Sequence, residues 1–244
     1  MKEIVIANFK MNKTFSETKE YVKELSGLVD KTLSKVYLCL PYTSLYISKL
    51  YKGEVFKFGA QNVHEEEYGA YTGEISAPML KDLKVSLVIV GHSERRKMGE
   101  TSVVLNKKIK TALRFGLNIV LCVGETRTQK NTNKTEFALK KELAEALCGI
   151  YENELNNIII AYEPVWSVGT GKVADYKDIE KAVNIIRAYI SELYSSNAGE
   201  KIKVIYGGSV DYQNAKQIIK SKNINGVMLG GTSLNLNEFA KILK

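Results

Sequence analysis

Apolar residues along this chain gather into short runs, separated by longer stretches of mixed polarity. Eight runs recur: Ile4–Ala7, Val36–Leu40, Phe56–Ala60, Leu87–Val90, Ile119–Val123, Ile158–Tyr162, Lys203–Tyr206 and Val227–Leu229. Most are continuously apolar rather than alternating, as strands are when a parallel sheet is covered on both faces. Between them, Leu105, Ile109, Ala112 and Leu113 follow the 3.6-residue period of an amphipathic helix, and so do Ile179, Val183, Ile186 and Ile190.

Helix starts are written into the polar stretches. Thr14 and Glu17 form a capping-box pair. Asn133 with Glu136, Asp175 with Asp178, and Asn235 with Glu238 each set a good N-cap three residues before an acid. Ser76-Ala77-Pro78 puts proline in a first turn, where its missing N–H matters least. Strand and helix thus alternate about eight times, which predicts an α/β protein with a parallel sheet. Eight units in roughly 250 residues is the size of a (β/α)₈ barrel. A doubly wound open sheet is the alternative. Its dinucleotide fingerprint is missing, because the first strand-to-helix turn, Asn8-Phe9-Lys10-Met11-Asn12, contains no glycine.

Composition narrows the picture further. With 244 residues, 45% of them hydrophobic, the chain can bury a large core, and no Pro-, Gly- or Ser-rich linker divides it. One domain over residues 1–244 is expected. Ile4–Ala7 is too short for a signal-peptide core, and nowhere do about 18 apolar residues run together, so a soluble, cytoplasmic protein without a membrane partner is expected. Cys39, Cys122 and Cys148 lack paired metal-site spacing; no metal and no organic cofactor is expected. The formal charge of +8 fits a small anionic substrate better than a nucleic acid, because no basic stripe is interleaved with aromatics.

In a barrel of this kind, functional residues stand at the C-terminal ends of the strands. After the first run come Asn8 and Lys10, and after the fourth Gly91-His92-Ser93-Glu94-Arg95-Arg96. Glu163 follows the sixth, Gly207-Gly208-Ser209 the seventh, and Gly230-Gly231 the eighth. An acid, an imidazole, an ammonium and bare glycine turns able to offer N–H groups to an anion therefore share one face. Glu163 leads into Pro164, the chain's single tryptophan Trp166, and Gly169-Thr170-Gly171. That order suggests a base beneath a closing segment.

At these residues the chain resembles the triosephosphate isomerase family. The shared motifs are Asn-Phe-Lys-Met-Asn (8–12), Ala-Gln-Asn-Val (60–63), Gly-Ala-Tyr-Thr-Gly-Glu (69–74), Gly-His-Ser-Glu-Arg-Arg (91–96), Cys-Val-Gly-Glu-Thr (122–126), Ala-Tyr-Glu-Pro-Val-Trp (161–166), Gly-Thr-Gly-Lys (169–172), Tyr-Gly-Gly-Ser-Val (206–210) and Gly-Gly-Thr-Ser-Leu (230–234). They occur in the family's order over essentially the full length. Departures are mild: Phe9 for the usual Trp, Tyr71 for Phe, Ser167-Val168 for Ala-Ile, Thr232 for Ala, and Asn133 for a frequent glycine. Asparagine is the next best residue for a left-handed turn.

The resemblance implies cofactor-independent interconversion of dihydroxyacetone phosphate and glyceraldehyde 3-phosphate through an enediolate. It implies Glu163 as base, His92 as electrophile and Lys10 as electrostatic stabiliser, with Glu94 partnering that lysine and Asn8 helping to place the substrate. A neutral His92 at the start of a short helix is part of the family's established mechanism and is carried over with it. Backbone N–H groups of Gly169, Ser209, Gly230 and Gly231 are implied to hold the phosphate. A homodimer is also implied, with Thr72 near the partner's Lys10 and Asn8 and with Glu74 paired to the partner's Arg95. Two rivals remain on sequence grounds. One is another phosphate-binding barrel isomerase. The other is an inactive barrel whose basic surface serves adhesion or binding.

Overall fold

The computed structural model describes residues 3–29, 31–32, 34–168, 173–221 and 223–244. Eight parallel strands close on themselves in sequence order: β1 (Ile4–Asn8), β2 (Lys35–Leu40), β3 (Phe56–Ala60), β4 (Leu87–Val90), β5 (Asn118–Val123), β6 (Ile158–Tyr162), β7 (Lys203–Tyr206) and β8 (Gly226–Leu229). Each lies within one residue of the apolar run that predicts it. Around them run α1 (Phe15–Leu28), α2 (Ile47–Leu50), α3 (Ala77–Asp82), α4 (Ser93–Lys97), α5 (Ser102–Arg114), α6 (Arg127–Asn131), α7 (Thr135–Ala146), α8 (Tyr176–Leu193), α9 (Ser196–Lys201), α10 (Tyr212–Ile219) and α11 (Leu236–Leu243). The fold is a (β/α)₈ barrel.

Two cores explain the continuous apolarity of the strands. Side chains pointing inward, among them Ile6, Cys39, Ile89, Val120, Cys122, Ala161, Ile205 and Met228, fill the barrel interior. The alternate positions, such as Val5, Leu38, Val88, Leu121, Ile160 and Val204, pack against the helices together with Ile109 of α5 and Ile179, Val183, Ile186 and Ile190 of α8. Apolar strand residues are thus buried whichever way they point; the unburied strand positions are Lys35, Lys57, Asn118 and Lys203, all at or next to the N-terminal ends of their strands. Cys39 and Cys122 are buried hydrophobes as expected, and Cys148 is exposed.

The caps largely follow the sequence. Thr14 and Glu17 form a complete capping box, Asp175 caps α8, and Asn235 accepts from the Glu238 N–H. Asn133 does not cap α7. That helix begins at Thr135 after Lys134, with no side-chain cap, and Asn133 instead adopts φ 54°, the left-handed turn that asparagine tolerates. Ser76 precedes α3 but makes no capping bond, and its hydroxyl is buried without a partner. Among the described residues no helix is long and apolar enough to cross a membrane.

Candidate active site

The strand ends bring the expected residues together. Asn8, Lys10, His92, Ser209, Gly230 and Gly231 line one cavity of about 260 Å³, with Val168 at its rim and the Gly207-Gly208 turn in its wall. Gly169 lies outside the described residues.

Lys10 leaves β1 in a left-handed conformation, φ 52°, which is unfavourable for a residue with a side chain and is held by its surroundings. Its N–H donates to Asn8 Oδ1 at 3.0 Å, and its carbonyl accepts from Gln61 Nε2 at 3.0 Å. Asn8 therefore fixes the backbone of Lys10. The Lys10 ammonium donates to Glu94 Oε1 at 2.6 Å. Burial raises the Glu94 carboxyl, but the Lys10 hydrogen bond, with further help from His92, outweighs it and holds the group below the usual carboxylate range.

His92 is the N-cap of α4, and its ring does the capping: Nδ1 accepts from the Glu94 N–H at 3.3 Å. An acceptor at Nδ1 leaves the ring proton on Nε2. Nε2 lies 3.2 Å from Glu163 Oε1, without good hydrogen-bond geometry, so that Oε1 is otherwise buried and unpartnered. The second oxygen, Oε2, accepts from the Ser93 N–H at 3.1 Å. The first two residues of α4 thus grip both halves of the pair. Glu163 is 1% exposed and stands behind the cavity rather than in its wall. In this arrangement the carboxylate is retracted.

The backbone around Glu163 tolerates no extra atom. A Cβ on Gly124 would sit 1.7 Å from the Glu163 carbonyl oxygen, so only glycine allows β5 to approach the end of β6. Arg96 ties the neighbouring strands by donating to the carbonyls of Gly91 at 2.9 Å and Cys122 at 3.0 Å. Burial pushes the Cys122 thiol well up, and the Glu163 charge adds to this, so it stays a neutral neighbour of the acid.

Some residues of the site carry no assignment in the sequence reading. Glu125, fully buried, accepts from the Tyr162 hydroxyl and from Trp166 Nε1 at 2.8 Å, tying the segment after β6 to the end of β5. The Arg127 guanidinium covers the Trp166 ring at 4.6 Å. Tyr206 links both sides of the segment: its hydroxyl accepts from the Ala174 N–H at 3.3 Å and hydrogen-bonds the Ser167 side chain. Ser209 donates to the Ser167 carbonyl at 2.8 Å. Glu125 does stand at a strand end in the quoted 122–126 motif. A buried acid bonded to two aromatics is a signal that only its neighbours make readable.

The family match covers the same residues. A model of the triosephosphate isomerase family matches residues 3–244. The chain belongs to the triosephosphate isomerase family. Similar proteins include triosephosphate isomerases of Dictyoglomus thermophilum, 44% identical over 100% of this chain and 99% of that protein, and of Aquifex aeolicus, 43% identical over 100% and 99%. The triosephosphate isomerase of Alkaliphilus oremlandii is 41% identical over 99% and 98%. The chain is accordingly an aldose–ketose isomerase of the triosephosphate isomerase family. The two rival readings, another phosphate-binding isomerase and an inactive binding barrel, are not favoured.

Thr72 and Glu74 are exposed on a loop anchored by Thr111 Oγ1 to the Glu65 carbonyl at 2.6 Å and by Arg114 to Glu67 at 2.9 Å. Arg95 bonds Glu100 of its own chain. It also lines a second cavity of about 230 Å³, beside Lys10, His92, Glu94, Tyr42 and Asn62.

Proposed function

We propose that this single-domain barrel interconverts dihydroxyacetone phosphate and glyceraldehyde 3-phosphate, with Glu163 as the base, His92 as the electrophile and Lys10 as the fixed positive charge. The observation that carries the assignment is the convergence of the Glu163 carboxylate and the protonated Nε2 of His92, 3.2 Å apart, beside a cavity walled by Lys10 and two glycine-containing turns.

The reaction moves one proton between adjacent carbons. Substrate entry separates Glu163 from the Ser93 N–H and brings its carboxylate over the carbon to be deprotonated. His92 Nε2–H then donates to the substrate carbonyl oxygen, and negative charge that leaves the C–H bond collects on the two oxygens of the enediolate. Lys10, oriented by Glu94, lies where it stabilises that charge and the phosphate. One enediolate oxygen gives up its hydroxyl proton and the other takes one through His92 Nε2, and return of the proton from Glu163 to the neighbouring carbon completes the isomerisation. A positioned base contributes about 10²–10⁴-fold, and a preorganised donor at a developing oxyanion about 10²–10³-fold.

The phosphate would bind at the end of the cavity formed by Ser209, Gly230 and Gly231, where backbone N–H groups without intervening side chains can approach the oxygens; the family resemblance adds the N–H of Gly169 to this set. The segment through Trp166 and Val168 closes over it. Closure excludes water and keeps the enediolate from expelling phosphate.

We further infer a homodimer that works in the cytoplasm. Met11 and Met98, 96% and 79% exposed in the isolated chain, flank the second cavity, and Tyr71 stands exposed on the anchored loop. Exposed apolar side chains beside a concave wall favour insertion of a partner's loop. Thr72 of one protomer would then buttress Lys10 of the other, and Glu74 would meet Arg95. A coupled assay on glyceraldehyde 3-phosphate tests the function. Turnover to dihydroxyacetone phosphate is expected; an isolated, folded chain without it would overturn the proposal.

A further inference from the structure

The opposite end of the barrel carries a group of cations that the isomerisation does not use. Lys35, the first residue of β2, pairs in register with Ile4. Lys57 of β3 pairs with Tyr37, and Lys203, the first residue of β7, pairs with Ile159. Ile4, Tyr37 and Ile159 all belong to the cluster inside the barrel. Residues in register on neighbouring parallel strands share a face, so the three lysines also point inward, at the N-terminal mouth.

The mouth is open to solvent at this level. Ile4, Tyr37 and Ile159 are 4%, 6% and 5% exposed, whereas Ile6, Ile89 and Ile205 are sealed at 0%. Between β2 and β7 around the ring lie only β1 and β8; Ile4 of β1 is in register with Lys35 and with Gly226 of β8, which contributes no side chain. The charges feel one another across that gap. Burial, reinforced by the Lys35 charge, holds the Lys203 ammonium below the usual lysine range.

No acid answers them. Among the described residues none of the three lysines forms an ion pair; Lys203 donates to the Asn156 carbonyl at 3.3 Å. The Tyr37 hydroxyl has no hydrogen-bond partner there either. Lysines at helix C-termini are explained by the helix dipole, and Lys220 at the end of α10 is one of these. Lys35, Lys57 and Lys203 sit on strands, where that account does not apply. A lysine stem can also cover an apolar floor while its head seeks water. Lys35 and Lys203 repel one another, Lys57 starts from the same inward face, and an anion at the opening would join the three.

We propose that the N-terminal mouth of the barrel is a binding site for a compact polyphosphate anion, held by Lys35, Lys57 and Lys203 with the Tyr37 hydroxyl at its floor. Lysine ammoniums act as point charges without the planar fork that selects carboxylates, and they suit a ligand whose own charge is spread over several tetrahedral groups. Tripolyphosphate and the tail of a nucleoside triphosphate share that chemistry. Among the described residues Tyr37 is the only aromatic of the buried cluster inside the barrel, so the inference concerns the phosphate chain and not a base. It stands independently of the isomerase mechanism.

The test is calorimetric titration of the intact protein with tripolyphosphate while the cavity at Lys10 is saturated with 2-phosphoglycolate, whose own binding is verified first. One tripolyphosphate per subunit is expected, with affinity falling as salt rises. Lys35→Gln, Lys57→Gln and Lys203→Gln should each weaken it by roughly fivefold, the upper end for a solvent-exposed ion pair. By the same rule the triple variant should lose roughly a hundredfold. Isomerase activity should be unchanged in all of them, which reports the fold; if the triple variant does not fold, the single variants decide. An equal affinity for ATP identifies the phosphate chain as the feature that is read, and tighter tripolyphosphate binding assigns the site to the inorganic ligand. Absence of stoichiometric binding with the cavity at Lys10 occupied, or binding untouched by the substitutions, would overturn the proposal.

Discussion

Replacing Glu163 by glutamine separates the chemistry of the site from its architecture. The change keeps the volume of the side chain but removes a charge and turns one oxygen into a donor. In the structure, one carboxylate oxygen accepts from the Ser93 N–H at 3.1 Å, and the other lies 3.2 Å from His92 Nε2. His92 keeps its proton on Nε2, because Nδ1 is occupied by the Glu94 N–H. Glutamine then has no good orientation: its NH₂ faces a donor whichever way the amide is flipped. The cost of a buried donor left unmatched is about 1–3 kcal/mol. At about 2–4 °C per kcal/mol for a chain of this size, that lowers Tm by roughly 2–12 °C. Loss of the base lowers kcat by about 10²–10⁴-fold, a barrier increase of roughly 3–5 kcal/mol. Thermal unfolding and the coupled assay, run on the same preparation, read both effects. A variant with more than about a tenth of the wild-type kcat lies below the range for a general base and would refute the assignment. An unchanged Tm would refute the hydrogen-bonding argument while leaving the base in place.

Three other outcomes are expected. Thr72→Arg with Glu74→Arg should shift the protein to a monomer in sedimentation and lower kcat, since the proposed contact supports the partner's Lys10; a folded, fully active monomer would contradict the coupling. Lys108, 3% exposed, bonds Glu100 at 2.6 Å and Asn62 at 2.8 Å, so Lys108→Met, which leaves Glu100 paired to Arg95 alone, should cost about 1.5–3 kcal/mol in urea unfolding, the worth of a hydrogen bond to a charged group. Burial pushes Glu100 up, but Lys108 and Arg95 outweigh it and hold it below the usual carboxylate range. Its contribution is therefore complete above the unfolded-state value and is lost as pH falls through the lower folded one; the acid limb of a stability–pH curve should be shallower in Lys108→Met. Finally, exhaustive chelation should leave isomerase activity unchanged, and restoration of lost activity by a divalent ion would refute the cofactor-free mechanism.

The fold was legible because burial on both faces leaves a strand no choice but to be apolar along its whole length. Ile158–Tyr162 shows this: all five residues are buried, Ile159 and Ala161 inside the barrel and Ile158, Ile160 and Tyr162 under the helices. Lys10, His92 and Glu163 were legible for the complementary reason, since polar residues directly after such runs have only the barrel mouth to occupy. What sequence could not supply were relations between distant segments. Ser93 looks like an ordinary helix-start serine until its N–H is found on Glu163, seventy positions away. Glu125 looks like a loop acid until Tyr162 and Trp166 close on it. Asn133 misled in a local way: cap-forming and left-handed conformations draw on the same residue types, and here the turn won.

The central claim is that a proton, and not a hydride, moves between the two carbons by way of Glu163. The direct measurement is to run the reaction from dihydroxyacetone phosphate in D₂O, trap glyceraldehyde 3-phosphate at once with a dehydrogenase, and determine deuterium at carbon 2 by NMR. A carboxylate that carries the proton exchanges it with solvent, so deuterium is expected at that carbon in the first-formed product. A first-formed product with no solvent deuterium would mean that the hydrogen crosses directly between carbons, and would contradict the account.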